Sequence, residues 1–399
     1  MNYRANPKNR DKLSILGFGC MRFAGNELKS FTGRTDKRKA EKLIITAIEQ
    51  GVNFFDTAYI YQGSEELLGN TLAKHGLREK VYIATKMPLM LCRSKTDFDK
   101  FFNRQLERLQ TSYIDYYLLH MLSDTMTWDK LREWGIESWI QEKKASGKIK
   151  QIGFSYHGPR DEFLALLEVH DWDIVLIQCN YSDENYQAGI TGLKKAASKG
   201  IPVMIMEPLL GGRLATGLPK AAVSRFREAN PDMTPAQWAL KWLWDKPEVT
   251  VVLSGMNEMK QLDENIEAAE SSLPNTLTQE EINVIQDVKE IIKESYKINC
   301  TGCHYCMPCP HGVNIPACFT AYNTHFAISK VIAMLQYSMS TILSQKPSYA
   351  GLCKNCGVCE PHCPQHISIA KSLKEVQKTM ETFKFKLMRF FTRIFLRKK

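Results

Sequence analysis

A carboxylate, a phenol, an ammonium and an imidazole stand at matching places in the first third of the chain. Asp56 closes the apolar run Val52–Phe55 and Tyr61 follows five residues later. Lys86 closes Val81–Thr85, and His120 closes Ile114–Leu119. Together these groups can move a proton. A tyrosine with its ordinary pKa of about 10 exchanges protons poorly at neutral pH. A neighbouring ammonium stabilises the phenolate, and a carboxylate keeps that ammonium charged and in place. A histidine adds a donor that orients a carbonyl oxygen. Such a set protonates the oxygen of a C=O while hydride reaches its carbon, or runs the reverse. The bland alternative is a capped helix after a buried strand, with Lys86 and Asp56 as an inert ion pair. Burying Lys, Asp and His without a function is costly, which favours the chemical reading.

Something must bring the four together. From residue 13 to about 272 an apolar run of four to seven residues, a polar turn and a helix-like segment recur. The runs start at Ile15, Val52, Val81, Ile114, Ile149, Ile174, Val203 and Val249. Near-continuous apolarity suits strands buried on both faces of a parallel sheet. Between them lie helix patterns such as Arg38–Gln50, with Ala40, Leu43, Ile44, Ala47 and Ile48 on one face and Gly51 as a stop. Eight such units over this length predict an α/β fold, a (β/α)8 barrel, whose active sites sit at the C-terminal strand ends. No Gly-x-Gly-x-x-Gly turn follows an early strand, which argues against an open doubly wound sheet. The residues closing seven of the runs are polar: Asp56, Lys86, His120, Ser155, Gln178, Glu207 and Ser254. They are expected to face one rim.

Asp56-Thr-Ala-x-x-Tyr61, Ile83-Ala-Thr-Lys86 and Asp115-Tyr-Tyr-Leu-Leu-His120 resemble the catalytic tetrad of the aldo/keto reductases, over about Leu13 to Ala269. The resemblance implies Tyr61 as general acid, Lys86 and Asp56 as its tuning pair, His120 as substrate orienter, and NADP or NAD as cofactor. It implies that Ser155 and Gln178 hold the nicotinamide carboxamide. Glu207-Pro-Leu209-Leu-Gly211-Gly212 would run under the pyrophosphate, its glycines admitting phosphate to backbone N–H groups. Ser254-Gly255-Met-Asn with Gln261, Glu264 and Asn265 would form the adenosine end. Three positions depart from the family pattern: Tyr156 where many members have asparagine, Met206 where a tyrosine usually stacks, and Gln261 where an arginine commonly meets a 2′-phosphate. A neutral amide lacks that charge-assisted contact.

Eight of the 12 cysteines fall in two short runs. Dense, short-spaced cysteines in a cytosolic chain point to metal rather than disulfides. Cys353-x2-Cys356-x2-Cys359-x3-Cys363-Pro has the bacterial ferredoxin spacing. Cys300-x2-Cys303-x2-Cys306-x2-Cys309-Pro is one residue short at its last gap. These predict two [4Fe–4S] clusters, one on Cys300, Cys303, Cys306 and Cys363 and the other on Cys353, Cys356, Cys359 and Cys309. Two four-cysteine zinc sites are the alternative. The helical stretch Ala317–Ser344 makes the segment similar to an α-helical ferredoxin, and the whole resembles a subgroup of aldo/keto reductases with a C-terminal 4Fe–4S domain. The expected division is a barrel over 1–275, a linker helix over 276–298, a small ferredoxin-like iron–sulfur domain over 299–370 and a basic amphipathic helix over 371–399.

At 399 residues, 44% hydrophobic and 24% charged, the chain reads as globular. The net charge is +10, but seven basic residues lie in the last 17 positions, so the body is near balance and no nucleic-acid surface is indicated. The polar N-terminus and the lack of a long apolar run predict a cytoplasmic protein. In the tail, Phe383, Leu387, Phe390, Phe391, Ile394 and Phe395 follow helical spacing opposite Lys386, Arg389, Arg393 and Arg397. Such a helix either docks on the protein or makes peripheral contact with an anionic membrane. The resulting expectation is hydride transfer between NAD(P)H and a small-molecule carbonyl or alcohol, with the clusters transferring electrons. Because hydride carries two electrons and a cluster one, a ferredoxin- or flavin-type electron partner is expected. The alternative is a nucleotide-binding redox sensor or electron-bridging protein with little turnover.

Overall fold

Parallel pairing closes eight strands into a barrel in a computed structural model of the chain: β3 (Leu16–Gly19), β4 (Phe54–Asp56), β5 (Tyr82–Met87), β6 (Ile114–Leu119), β7 (Ile149–Ser155), β8 (Ile174–Gln178), β9 (Val203–Met206) and β10 (Val249–Ser254). The structure describes residues 1–21, 23, 36–294, 296–300, 302, 305–343, 346–363 and 365–397, with 394–397 by backbone alone. A hairpin unseen in the sequence pattern, β1 (Tyr3–Ala5) and β2 (Lys12–Ser14), precedes the barrel and pairs antiparallel.

The two-residue period of a strand sorts these side chains. Phe54, Ala84, Tyr116, Leu118, Ile174, Leu176, Met204, Val251 and Leu253 fill the barrel interior. Phe55, Ile83, Tyr117, Leu119, Val175 and Ile177 point out into the shell beneath the helices. Helices form where the sequence offers a cap and an apolar stripe. In Lys37–Glu49, Asp36 accepts from the Arg38 and Lys39 N–H groups, and Ala40, Leu43, Ile44 and Ala47 are buried. Gly51 then turns the chain at φ +92°. Two other glycines mark close approaches. A Cβ on Gly153 would lie 2.0 Å from the Ile174 carbonyl oxygen, and one on Gly69 would lie 2.4 Å from that of Arg108.

The helix Gln279–Lys293, expected as a linker, packs Val284, Ile285, Val288 and Ile292 into the barrel's own shell. The stretch expected as one helical segment is two helices, Ile315–Ala327 and Lys330–Ile342, and the tail is also two, Ile369–Met380 and Phe383–Arg397. Val313, Ile315, Phe319, Tyr337, Leu373 and Val376 give this C-terminal unit its own core. It leans on the barrel: Ala327, Ile328 and Ile332 pack against the barrel shell. The loop after β8 ties it down further. Thr320 Oγ1 donates to Asp183 Oδ2 at 3.2 Å, and Tyr186 OH bonds the Ser340 hydroxyl and donates to the Gln336 carbonyl. No described helix is long and apolar enough to cross a membrane.

Candidate active site

Strand register carries Asp56, Lys86 and His120 to one layer. Each stands two residues beyond an interior side chain: Phe54, Ala84 and Leu118 respectively. Lys86 Nζ lies 2.6 and 2.7 Å from the two Asp56 oxygens and 2.7 Å from the Thr57 carbonyl. Both side chains are buried. Lys86 Nζ is also 5.0 Å from the centre of the Tyr61 ring. The Tyr61 and His120 rings meet edge to face, centroids 6.0 Å apart at 85°. Behind this layer lies a buried network that the sequence reading missed. Gln105 Nε2 donates to Glu65 Oε1 at 2.6 Å and to the Lys86 carbonyl at 3.2 Å, and Thr85 Oγ1 donates to Glu65 at 2.6 Å. It holds the backbone of Lys86 from outside the barrel.

Electrostatics follow from this packing. Burial works against the Lys86 charge, but Asp56, Tyr61 and Cys20 outweigh it and raise its pKa, so it remains an ammonium. Tyr61 departs from the expected lowering. Loss of water raises its pKa, Lys86 offsets only part of that, and Asp56 and Glu207 add to the rise. Lys86 pulls the value down through its charge and a hydrogen bond, but burial outweighs it. Tyr61 is therefore a protonated phenol near neutral pH. Burial, Lys86 and His157 together hold His120 well below the usual histidine range, so its ring is neutral.

The residues expected to bind cofactor are brought together in part. Ser155 closes β7 and accepts from the Met121 N–H at 2.9 Å, which fixes the turn after His120. Gln178 is buried at the end of β8, and its amide has no partner among the described residues. Glu207, Leu210, Gly211 and Gly212 all have positive φ, and a Cβ on Gly212 would meet nothing within 4 Å. Leu209 of this loop packs against the shell. Ser254 does not join the inner layer: its hydroxyl accepts from Asn265 Nδ2 at 3.0 Å, on the helix Met259–Ser271. Gly255 follows exposed, Gln261 Oε1 accepts from the Asn257 N–H at 3.0 Å, and Glu264 pairs with Lys260 at 3.7 Å. Tyr156 is fully buried and turned to Phe163, and Met206 sits partly buried at the interior's edge. His157, two residues beyond Ser155, is a further buried group at this mouth. Extending the two-residue period one step past β7 would have found it.

The expectation of two [4Fe–4S] clusters, and of electron transfer through them, is corrected. Among the described residues, no group of three or more His, Cys, Asp or Glu side chains could hold a metal ion. Cys303 lies outside the described residues. Cys300, Cys306, Cys309, Cys353, Cys359 and Cys363 lie partly buried against the small unit's apolar core, and Cys356 is exposed. Cys309, Cys353, Cys356 and Cys359 border one surface cavity with His311 and Lys354, without closing into a ligand group. As described, these thiols stand on irregular loops and are packed apart from one another rather than drawn together into a ligand group. Six of them lie against the apolar core, while Cys353 Sγ also accepts from the Asn355 N–H at 3.4 Å.

Comparison with known proteins agrees on both parts of the chain. Residues 15–290 match the model of the aldo/keto reductase family, and residues 299–368 match that of a 4Fe-4S dicluster domain. The second match holds at the level of sequence, alongside the absence of a ligand group in the described geometry. The L-galactose dehydrogenase of Arabidopsis thaliana is 28% identical over 309 residues, covering 71% of this chain and 92% of that protein. The probable aldo-keto reductase 1 of Glycine max is 28% identical over 295 residues, covering 64% and 81%. Among solved structures, the aldo-keto reductase AKR11C1 from Bacillus halodurans (holo form) superposes with a TM-score of 0.58 at 26% identity, covering 72% of this chain and 96% of that one.

Proposed function

From the premise that this chain belongs to the aldo/keto reductase family, and is an NAD(P)-dependent oxidoreductase of that kind, we propose that Tyr61 exchanges the proton when a carbonyl compound is reduced or an alcohol oxidised. The substrate is a small-molecule carbonyl or alcohol. A single observation carries the proposal: Lys86, held on both oxygens of Asp56, lies 5.0 Å from the Tyr61 ring, whose other neighbour is His120.

When bound, the nicotinamide dinucleotide supplies or takes the hydride. The Gln178 amide, the Ser155 hydroxyl and the glycine-rich turn Glu207–Gly212 fit such a group, because the amide has no partner among the described residues and the turn has open space at Gly212. Tyr61 gives its phenolic proton to the carbonyl oxygen as the carbon gains hydride. The phenolate so formed lies beside the Lys86 ammonium, which stabilises it most when the negative charge is greatest. Neutral His120 donates to the same oxygen and orients it. The test is Tyr61→Phe. Carbonyl-dependent oxidation of NADPH should fall 10²- to 10⁴-fold, on the order expected for loss of a general acid, with NADPH binding retained. Undiminished turnover overturns the assignment.

A second reading concerns the last helix. Phe383, Leu387, Phe390 and Phe391 share one stripe and are exposed, Phe383 by 79%. The helix docks by its opposite side, where Phe385 is buried against Tyr337 and Tyr349 and Arg389 lies 4.7 Å over the Tyr349 ring. At 100° per residue, Lys384 falls on one flank of the stripe and Lys386 and Arg393 on the other. We infer that this stripe rests on an anionic membrane surface. Cosedimentation with phosphatidylserine vesicles should be lost on changing Phe390 and Phe391 to Ser. Equal recovery of both proteins in the supernatant overturns it.

A further inference from the structure

Behind the proton-transfer layer, on the outer side of the barrel wall, lies a carboxylate with no exposed surface. Glu65 stands in the first turn of the helix Ser64–Lys74, just past Tyr61, and is 0% exposed. Both its oxygens are taken by donors. Oε1 accepts from Thr85 Oγ1 and from Gln105 Nε2, each at 2.6 Å, and Oε2 accepts from Arg108 Nη1 at 3.1 Å. Burying a charge is costly, and apolar residues of the same volume stabilise a fold as well or better. What such a charge-assisted set provides is fixed geometry.

The set reaches both turns that carry the chemistry. Arg108 Nη1 also donates to the Tyr59 carbonyl at 3.1 Å, and the guanidinium lies 4.4 Å over the Tyr59 ring. One nitrogen thus bonds the chain on either side of Tyr61, before it at Tyr59 and after it at Glu65. Between them the turn is closed by the Tyr61 N–H on the Ala58 carbonyl and the Ser64 N–H on the Tyr61 carbonyl, both at 3.0 Å. On the other side Gln105 Nε2 reaches the Lys86 carbonyl at 3.2 Å. Gln105 Oε1 is itself held by the Tyr117 hydroxyl of β6 at 2.7 Å. Gln105 and Arg108 stand at i and i+3 on one helix, Thr96–Leu109, so their side chains are neighbours on its surface.

Resting on the reading of Tyr61 as proton donor, we propose that Glu65 is a positioning residue for it. Through Arg108 and Gln105 it clamps the Tyr61 turn to the end of β5, and so sets how close the phenol stands to the Lys86 ammonium. With no exposed surface, Glu65 touches neither substrate nor cofactor. It acts only by holding the two turns in one frame. A shift of about 1 Å between reacting groups costs up to about 10²-fold in rate.

The test is a double-mutant cycle on the full chain, with NADPH-dependent reduction of 4-nitrobenzaldehyde as the probe reaction. Glu65→Gln should lower kcat about 10- to 10²-fold with the KM for NADPH little changed. In the Tyr61→Phe background the same change should make less than about a twofold further difference, because the clamp acts through Tyr61. A merely structural carboxylate would lower turnover by the same factor in both backgrounds. That additive result, or undiminished kcat in Glu65→Gln, overturns the proposal. Should Glu65→Gln fail to fold, Gln105→Leu takes its place in the cycle with the same expectations. Hydrogen–deuterium exchange gives a readout that needs no turnover. In the variant, the amides of 57–61 and of 85–87 should exchange faster together, while those of 203–206 across the barrel keep their protection. Unchanged exchange at either turn overturns the clamp. No reduction of the probe by the unmodified chain, or no loss on Tyr61→Phe, instead defeats the reading of Tyr61, and the exchange result alone then decides the clamp.

Discussion

The barrel mouth and the cysteine-bearing unit hold their reactive side chains in opposite ways. In the barrel, Asp56, Lys86 and His120 sit at the ends of paired strands, and hydrogen-bonded register aims all three inward. Each is then fixed again: Lys86 by Asp56 and Thr57, its backbone by Gln105, and the turn after His120 by Ser155. In the cysteine-bearing unit the thiols stand on loops joined by short 3-10 turns, Ala350–Leu352 and Glu360–His362. In the barrel a regular backbone converts residue spacing into a shared direction. In the small unit six of the thiols lie instead against its apolar core.

The hardest blow to this contrast comes from Lys86→Met. If the inward layer is a working unit, carbonyl reduction should fall about 10³-fold, on the scale of losing electrostatic stabilisation and proton-transfer tuning together. Stability should fall by about 3–5 kcal/mol in urea titration, because Asp56 is left buried without its partner. Retained turnover would make the barrel layer no more functional than the loop thiols.

A smaller effect tests the mouth by pH. Burial holds His157 at a pKa of about 4 against an ordinary 6.5, with Lys86 adding to the lowering and Gln187 opposing it. As pH falls below the unfolded value, the unfolded chain takes up a proton that the folded chain refuses. Stability from this group is therefore complete above about pH 6.5 and is lost progressively down to about pH 4. Between pH 7 and 5 the loss comes to about 2 kcal/mol. His157→Gln should lose less stability over that interval by about the same amount, as read from urea midpoints. Equal losses in both proteins would mean that His157 is not held dry.

The barrel was legible because eight apolar runs and their polar closers repeat, and period-two alternation carried Asp56, Lys86, His120, Ser155 and Gln178 to strand ends without knowledge of side-chain contacts. Ser254 stands one residue after the interior Leu253, so the same alternation turns its hydroxyl outward to Asn265, beside which the sequence had grouped it. The rise in the Tyr61 pKa was not legible, since it depends first on how completely the phenol is buried, which residue types and spacing do not give. Nor was the contact that joins Tyr186 to Gln336 across 150 positions of chain. The thiols misled because a motif of residue types carries no record of backbone direction.

The two regions meet at Tyr186, whose hydroxyl bonds Ser340 and Gln336. Tyr186→Phe leaves the ring's packing and removes those bonds, at a cost of about 1 kcal/mol. Limited proteolysis should then cut the C-terminal unit faster than the barrel. Uniform cutting would show that apolar contacts from Ile328 and Ile332 suffice to hold the two together.

The smallest effects should fall among the thiols, and their pattern matters more than their size. If each sulfur acts only as a small apolar group, cost follows its own burial. Cys359→Ala, at a partly buried site against the small core, should lose about 1 kcal/mol. Cys356→Ala, at an exposed site, should stay within about 0.5 kcal/mol of the unmodified chain. Because separate packing contacts add, the double variant should equal the sum of the two. Urea denaturation of the four proteins reads all three values. Equal, large and non-additive losses at Cys356 and Cys359 would mean that the thiols bordering that cavity act as one unit, and the contrast between strand-aimed and loop-borne residues would fail at the point where it was drawn most sharply.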